Sequence, residues 1–385
     1  MKNQINKKDF GMQNSSFWPL EKTLEPLFER GLAKGVFTAA ACAIFKQNGD
    51  RPGRLIKTWG RTRKGKNGKE VTPETIFDLA SLTKPLCTTL SILCLIDQGA
   101  LDWSDSLDTL LKADIEPGKR NIRLDQLLSH SSGLRPYRAY FAGFAPEIKK
   151  DNKKKLIKTI LEEPLAYEPG SECRYSDLGF MLLGEVVERV SGRQLNSFFN
   201  EKIIKPLKIK ESPFFNTLNR KKSKKTEKFA ATEKCPWRER IMQGEVHDEH
   251  AWLMGGVAGH AGLFGTIGAV LFVTEKILHQ WQGQEKHPAY STTTLQMALK
   301  KKYSDQTWCL GFDTPTPGGS SGGKYLSPQS VGHLGYTGTS FWIDPERDLV
   351  MILLTNRVHP TRKNEQIRLF RPLFHDTVIE GLSGG

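Results

Sequence analysis

Ser81 is followed three residues later by Lys84, within Ile76-Phe77-Asp78-Leu79-Ala80-Ser81-Leu82-Thr83-Lys84-Pro85-Leu86-Cys87. One helical turn apart, the two side chains share a face, and together they offer a nucleophile and an acceptor for its proton. Burial lowers a lysine's pKa, and a helix N-terminus favours the negative charge of a serine alkoxide. Leu86, Leu90, Leu93, Leu95 and Ile96 continue as the buried face of a helix. Pro85 fits only near the start of such a helix, so Ser81 is expected at or near its N-terminus. The motif alone does not decide the matter. A helix cap with a solvated lysine has the same letters, and Ser321 to Lys324 repeats them in a Gly/Ser-rich stretch with no helix to carry them.

The elements that must hold this pair are read outward from it. Residues 19–34 form an amphipathic helix with Leu20, Leu24, Leu27 and Phe28 on one face. The apolar runs 36–45 and 55–59 flank Asn48-Gly49-Asp50 and Pro52-Gly53, which is hairpin chemistry. Between about 100 and 282 the signals are mostly helical, at 104–112, 122–130, 152–162, 177–191 and 194–204. Strand signals return at 308–312, 330–334, 340–343 and 349–355, and a last helix is predicted from 364 to about 380. Strands at both ends and helices between them predict an α+β fold with an antiparallel sheet flanked by helices. The expected layout is an N-terminal tail (1–18) and one domain (19–380), with a sheet lobe from about 19–75 and 300–380 and a mostly helical lobe from about 76–299. The active site is expected between the lobes.

The chain of 385 residues carries a net charge of +14, yet much of the excess is local, as in Arg220–Lys225 and the lysines of 149–155. No aromatic residues alternate with those runs as a base-stacking surface requires, so nucleic-acid binding is not expected. The six cysteines include no C-x-x-C pair. The first residues are polar without an apolar signal region, and no stretch is read as long enough for a membrane span. A cytoplasmic monomer without cofactor or metal, acting on a small-molecule or peptide substrate, is the resulting expectation. Gly318–Tyr325 nearly spells a phosphate-binding loop, and 318–322 a nucleophile elbow, but neither has its strand–turn–helix setting.

Three further stretches join Ser81 and Lys84. They are Leu127-Leu128-Ser129-His130-Ser131-Ser132-Gly133-Leu134, then Tyr175-Ser176-Asp177 before an apolar helix, and Gly332-His333-Leu334-Gly335-Tyr336-Thr337-Gly338-Thr339 on a strand signal. As a set, in this order, they resemble the class C β-lactamase-like serine hydrolases, a superfamily of penicillin-binding proteins, D-amino-acid peptidases, esterases and cell-wall amidases. The resemblance implies a β-lactamase/penicillin-binding-protein-like fold and a role for each residue. Ser81 would be the acylated nucleophile, Lys84 its proton acceptor and Tyr175 the relay to the leaving group. The N–H groups of Ser81 and Tyr336 would form the oxyanion hole. Gly335 would be small so that a substrate can lie along the strand edge, and His333 stands where many members carry a lysine.

Two departures qualify that picture. Asp177 replaces the amide of Tyr-x-Asn, and His333 replaces a fixed cation with a group that titrates near neutrality. Both weaken the case for efficient β-lactam hydrolysis. A charged Lys84 nearby would favour the neutral form of His333. The stretch 244–264, with His247, Asp248 and His260, resembles the branch that includes N-acetylmuramoyl-L-alanine amidases, although plain loop hydrogen bonding accounts for these residues equally well. Arg135 and Arg357 are candidates to clamp a substrate carboxylate, or else are structural. The reading is therefore an amidase or peptidase working through an acyl-serine on a peptidoglycan-derived or similar peptide. A carboxylesterase, a weak β-lactamase and an inactive ligand-binding relative are the alternatives.

Overall fold

Strands from the two ends of the chain join one five-stranded sheet in the computed structural model, which describes residues 18–49, 51–209, 211–218 and 226–383. The tail up to residue 17, Asp50 of the hairpin turn and the basic run Arg220–Lys225 lie outside the described residues. Strands β1 (Ala39–Asn48), β2 (Arg51–Gly60), β3 (Val331–Leu334), β4 (Ser340–Asp344) and β5 (Leu349–Thr355) pair antiparallel in the order β2-β1-β5-β4-β3. Pro52 and Gly53, read as turn residues, lie inside β2, an edge strand and so tolerant of proline. The strand predicted at 308–312 is reduced to isolated bridges, from Trp308 to Asp313 and from Asp313 to Gly332.

Around the sheet lie helices α1 (Trp18–Ala33), α2 (Ala80–Asp97), α3 (Asn152–Glu162), α4 (Asp177–Ser191), α5 (Ile267–Trp281) and α6 (Ile367–Ser383). Both sheet faces are covered, and side-chain alternation divides the core between them. Along β5, Leu349, Met351 and Leu353 meet Leu24 and Phe28 of α1 and Phe370 and Phe374 of α6. Val350, Ile352 and Leu354 point the other way, into the larger core that includes α2 and α5. Because both sets are buried, β5 reads in the sequence as one unbroken apolar run. Phe28 also stacks on Trp59 with ring centroids 3.8 Å apart.

Helix α5 was not among the helices singled out from the sequence, and it comes from the span assigned to the helical lobe. It packs on β1 and β5 and covers the inner sheet face. Helix α2 corrects another expectation, since it is long and apolar enough by composition to cross a bilayer. Here its apolar surface is taken up by the protein core, with Leu82, Leu86, Leu90 and Leu93 all buried.

Candidate active site

The chain turns sharply just before Ser81. Ala80 adopts a left-handed conformation (φ 49°), uncommon for a residue with a Cβ, and its N–H donates to Asp78 Oδ1 at 2.9 Å. Helix α2 then opens as a 3₁₀ turn over Ala80–Leu82, widens to π-type turns over Lys84–Thr89 and becomes α-helical from Leu90. The loop after β3 is pinned to the same turn. Thr337 Oγ1 donates to Asp78 O at 2.7 Å, and Thr339 Oγ1 donates to Leu79 O at 3.1 Å.

Ser81 Oγ lies 3.0 Å from Lys84 Nζ and 2.8 Å from Tyr175 OH. Tyr175 is held at the start of α4, where Ser176 caps the helix by accepting the Gly179 N–H. Lys84 is fully buried and also donates to Asp177 Oδ1 (2.7 Å) and His260 O (3.1 Å), which occupies its three N–H bonds. Gly259 makes the last contact accessible: a Cβ there would fall 2.1 Å from Phe180 O, so only glycine lets this loop press onto α4. Burial pushes the Lys84 pKa below its usual range, with Asp177 opposing. Burial, and then the Asp177 carboxylate, push the Tyr175 phenol well above its own. A lysine readier to give up its proton and a phenol that holds on to one thus share the serine oxygen.

Strand β3 brings up His333, which is buried. Its Nδ1 lies 2.8 Å from Leu334 O. A carbonyl can only accept, so Nδ1 carries the proton, and Nε2, without a partner among the described residues, keeps its lone pair. Burial, then the charge on Lys84, press the His333 pKa down to about 3, so the ring is neutral at ordinary pH. Gly335 is small for a reason other than substrate clearance. A Cβ there would lie 1.9 Å from Thr339 Oγ1 and 2.8 Å from Leu79 O, because the end of β3 packs directly on the nucleophile turn.

Ser81, Tyr175, Asp177, His333, Gly335 and Tyr336 border one cavity of about 620 Å³. His247, Asp248, His260 and Arg357 line it as well. His260 Nε2 lies 2.8 Å from Asp248 Oδ1, which also accepts the Ala251 N–H. The His247 N–H donates to Asp78 Oδ2 at 2.7 Å, and its Nε2 sits 3.1 Å from Glu233. Arg362 joins Glu233 to Glu249. Burial works against the Glu233 carboxylate, but His247 and Arg362 outweigh it and hold its pKa at about 2. Arg357 has a structural role: Nε donates to Tyr336 O at 2.8 Å and Nη1 to the carbonyls of Arg362 (2.9 Å) and Asn364 (2.7 Å). Arg135 pairs with Glu163 at 3.0 Å and does not border the cavity.

Asp248, His250 and His260 offer possible metal-ligand atoms within 4.8 Å of one another. His250 Nε2 accepts the Phe141 N–H at 3.3 Å and His260 Nε2 lies 2.8 Å from Asp248 Oδ1, while Nδ1 of each ring has no partner among the described residues. Three residues near the site have no counterpart in the sequence reading. Asp78 carries no motif, and Arg371, which borders the cavity, lies in an ordinary amphipathic helix. His130 fell in a quoted motif without a role; its Nδ1 accepts the Ser176 N–H at 3.1 Å and its ring lies 4.7 Å from that of Tyr175.

This arrangement coincides with a known family. The Beta-lactamase family model matches residues 27–372. The chain belongs to that family. Among its relatives, the N-acetylmuramyl-L-alanine amidase of Bacillus subtilis (strain 168) is 32% identical over 374 residues, covering 88% of this chain and 81% of the relative. A protein of Escherichia coli (strain K12) named as a D-alanyl-D-alanine carboxypeptidase is 32% identical over 333 residues, covering 79% of this chain and 75% of its own. The fold is shared with EstCE1, described as a hydrolase with promiscuous acyltransferase activity (TM-score 0.72, 19% identity, 93% of this chain and 100% of that one). It is shared too with the octameric penicillin-binding protein homologue from Pyrococcus abyssi (TM-score 0.69, 19% identity, 91% and 76%). Membership makes this chain a serine hydrolase of the β-lactamase type.

Proposed function

We propose that this hydrolase forms an acyl-enzyme at Ser81 and cleaves an amide bond in a peptidoglycan-derived peptide. The observation that carries the mechanism is the double contact on Ser81 Oγ, from Lys84 Nζ at 3.0 Å and Tyr175 OH at 2.8 Å. Ser81 Oγ attacks the substrate carbonyl, and its proton passes to the neutral fraction of Lys84. The N–H groups of Ser81 and Tyr336 hold the oxyanion. As the C–N bond breaks, Tyr175 gives its proton to the leaving nitrogen and recovers one from Lys84. A water then attacks the acyl-enzyme, its proton leaves by the same route, and the acid departs as Ser81 regains its hydrogen. Asp177 keeps Lys84 in reach of Ser81 throughout, and the neutral His333 supplies a lone pair where a fixed cation would otherwise stand.

The choice of substrate is supported by the relatives named as an N-acetylmuramyl-L-alanine amidase and a D-alanyl-D-alanine carboxypeptidase. The test is a panel of muropeptides, D-alanyl-D-alanine peptides, p-nitrophenyl esters and a chromogenic cephalosporin, followed by kcat/KM. Muropeptide amides should lead and the cephalosporin should be turned over weakly. Fastest turnover of the cephalosporin, or turnover of activated esters alone, would contradict this reading.

A further inference from the structure

We propose that Arg371 strengthens the oxyanion hole through the Gly335–Tyr336 peptide group, an inference that rests on Tyr336 N–H being an oxyanion donor. Arg371 is buried on α6, and its Nη2 donates to Gly335 O at 2.6 Å and to Thr339 O at 2.9 Å. Gly335 O and Tyr336 N–H are the two ends of one amide. A cation bound at the carbonyl end draws electron density along the conjugated unit and leaves the N–H at the other end a stronger donor. The Gly338 N–H donates to the same carbonyl at 3.0 Å and acts in the same direction.

Among the described residues no carboxylate pairs with Arg371. The charged groups that act on it are Arg357 and Arg368, both cationic, and its Nε has no partner among the described residues. A buried guanidinium without a carboxylate is costly to the folded state. Its field acts on the cavity that it borders. The tetrahedral intermediate supplies the missing negative charge at the far end of this peptide. Arg357 binds the next carbonyl along, Tyr336 O, and so acts on a different amide. Since the oxyanion exists only as the reaction proceeds, Arg371 should affect kcat and leave KM nearly alone.

The test compares Arg371→Met, Arg371→Gln and Arg371→Lys for the acylation burst with p-nitrophenyl acetate, for KM, for affinity toward phenylboronic acid and for thermal midpoint. Met and Gln should slow acylation by about 10- to 100-fold, less than the 10²–10³ for direct loss of an oxyanion donor. KM should stay within about twofold, and boronate affinity should fall in step with the rate. Lys should recover most of the rate, since it restores the charge. Gln retains a neutral donor and separates charge from positioning, so the comparison survives even if Met does not fold. A Gln variant as fast as the wild type, a loss confined to KM, or a folded Lys variant no faster than Gln would overturn the proposal. A wild-type protein that forms no Ser81 adduct removes the acyl-serine reading as well. A normal wild-type burst with an unaffected Gln variant removes this proposal alone.

Discussion

Two groups of residues at the cavity hold their charges by opposite means. In the group of Ser81, Lys84 and Tyr175, the side chains stand at helix starts inside an apolar core, and their protonation equilibria are pulled apart. Lys84 is pushed down, and Tyr175 is pushed up. In the second group, Glu233, His247 and Arg362 come from loops and Glu249 opens a short helix; Arg362 sits between the two carboxylates and His247 Nε2 meets Glu233. Burial outweighs the Asp177 pair at Lys84 and leaves the first group poised for proton transfer, whereas the second group is closed by its own pairs. Substitutions in the first group should therefore show in the rate, and those in the second mainly in stability.

The sharpest break of that comparison is kinetic. Lys84→Ala and Tyr175→Phe should each slow acylation by about 10²–10⁴ while the protein remains folded. Near-full activity in both variants would contradict their place in the mechanism. Acid should weaken the fold next. His333 and His375 have pKa values near 3 and His287 near 4, each pressed down mainly by burial. In the unfolded chain these groups titrate near 6.5, so below that pH the unfolded state binds more protons. Denaturant midpoints should fall as pH drops from about 6.5 toward 3, with up to about 1.4 kcal/mol per pH unit from each group. A flat profile over that range would show these histidines charged in the fold. Glu233→Gln, in the paired group, should remove about 1–2 kcal/mol of stability, because Arg362 is partly exposed, and less than tenfold in kcat. A rate loss above a hundredfold would place that network in the chemistry. Between pH 5 and 8 the rate should show no limb from His333, and His333→Gln should keep the shape of the profile. A limb near pH 6.5 that disappears in the variant would reverse that assignment. Arg135→Ala should change kcat/KM by less than about twofold, since the residue only pairs with Glu163 at the surface.

Legibility in the sequence follows the same division. The helices 152–162 and 177–191 were read to the residue because amphipathic spacing and a Ser176 cap mark them locally. β5 was also legible, as an apolar run rich in β-formers, and the alanine-rich β1 from its apolar run beside a hairpin turn. Ser81, Lys84 and Tyr175 gather from motifs carried on such elements. The buried Asp78 accepts the Ala80 N–H two residues on, a local contact open to many loop aspartates, and the His247 N–H, a partner 169 residues away that only the tertiary fold supplies. Arg357 shows the converse case. Its residue type left a carboxylate clamp and a structural role both open, and the three carbonyls that accept from Nε and Nη1 supply the structural one. The crowding at Gly335 could not be foreseen either, since Leu79 reaches it from 256 residues away in sequence, the difference between positions 335 and 79.

Intact-mass spectrometry of the protein mixed with a fluorophosphonate or penicillin tests the acyl-serine directly. The account predicts one covalent adduct, mapped by peptide digestion to Ser81 and absent from Ser81→Ala. An adduct at another residue, or an equal one in Ser81→Ala, would contradict it.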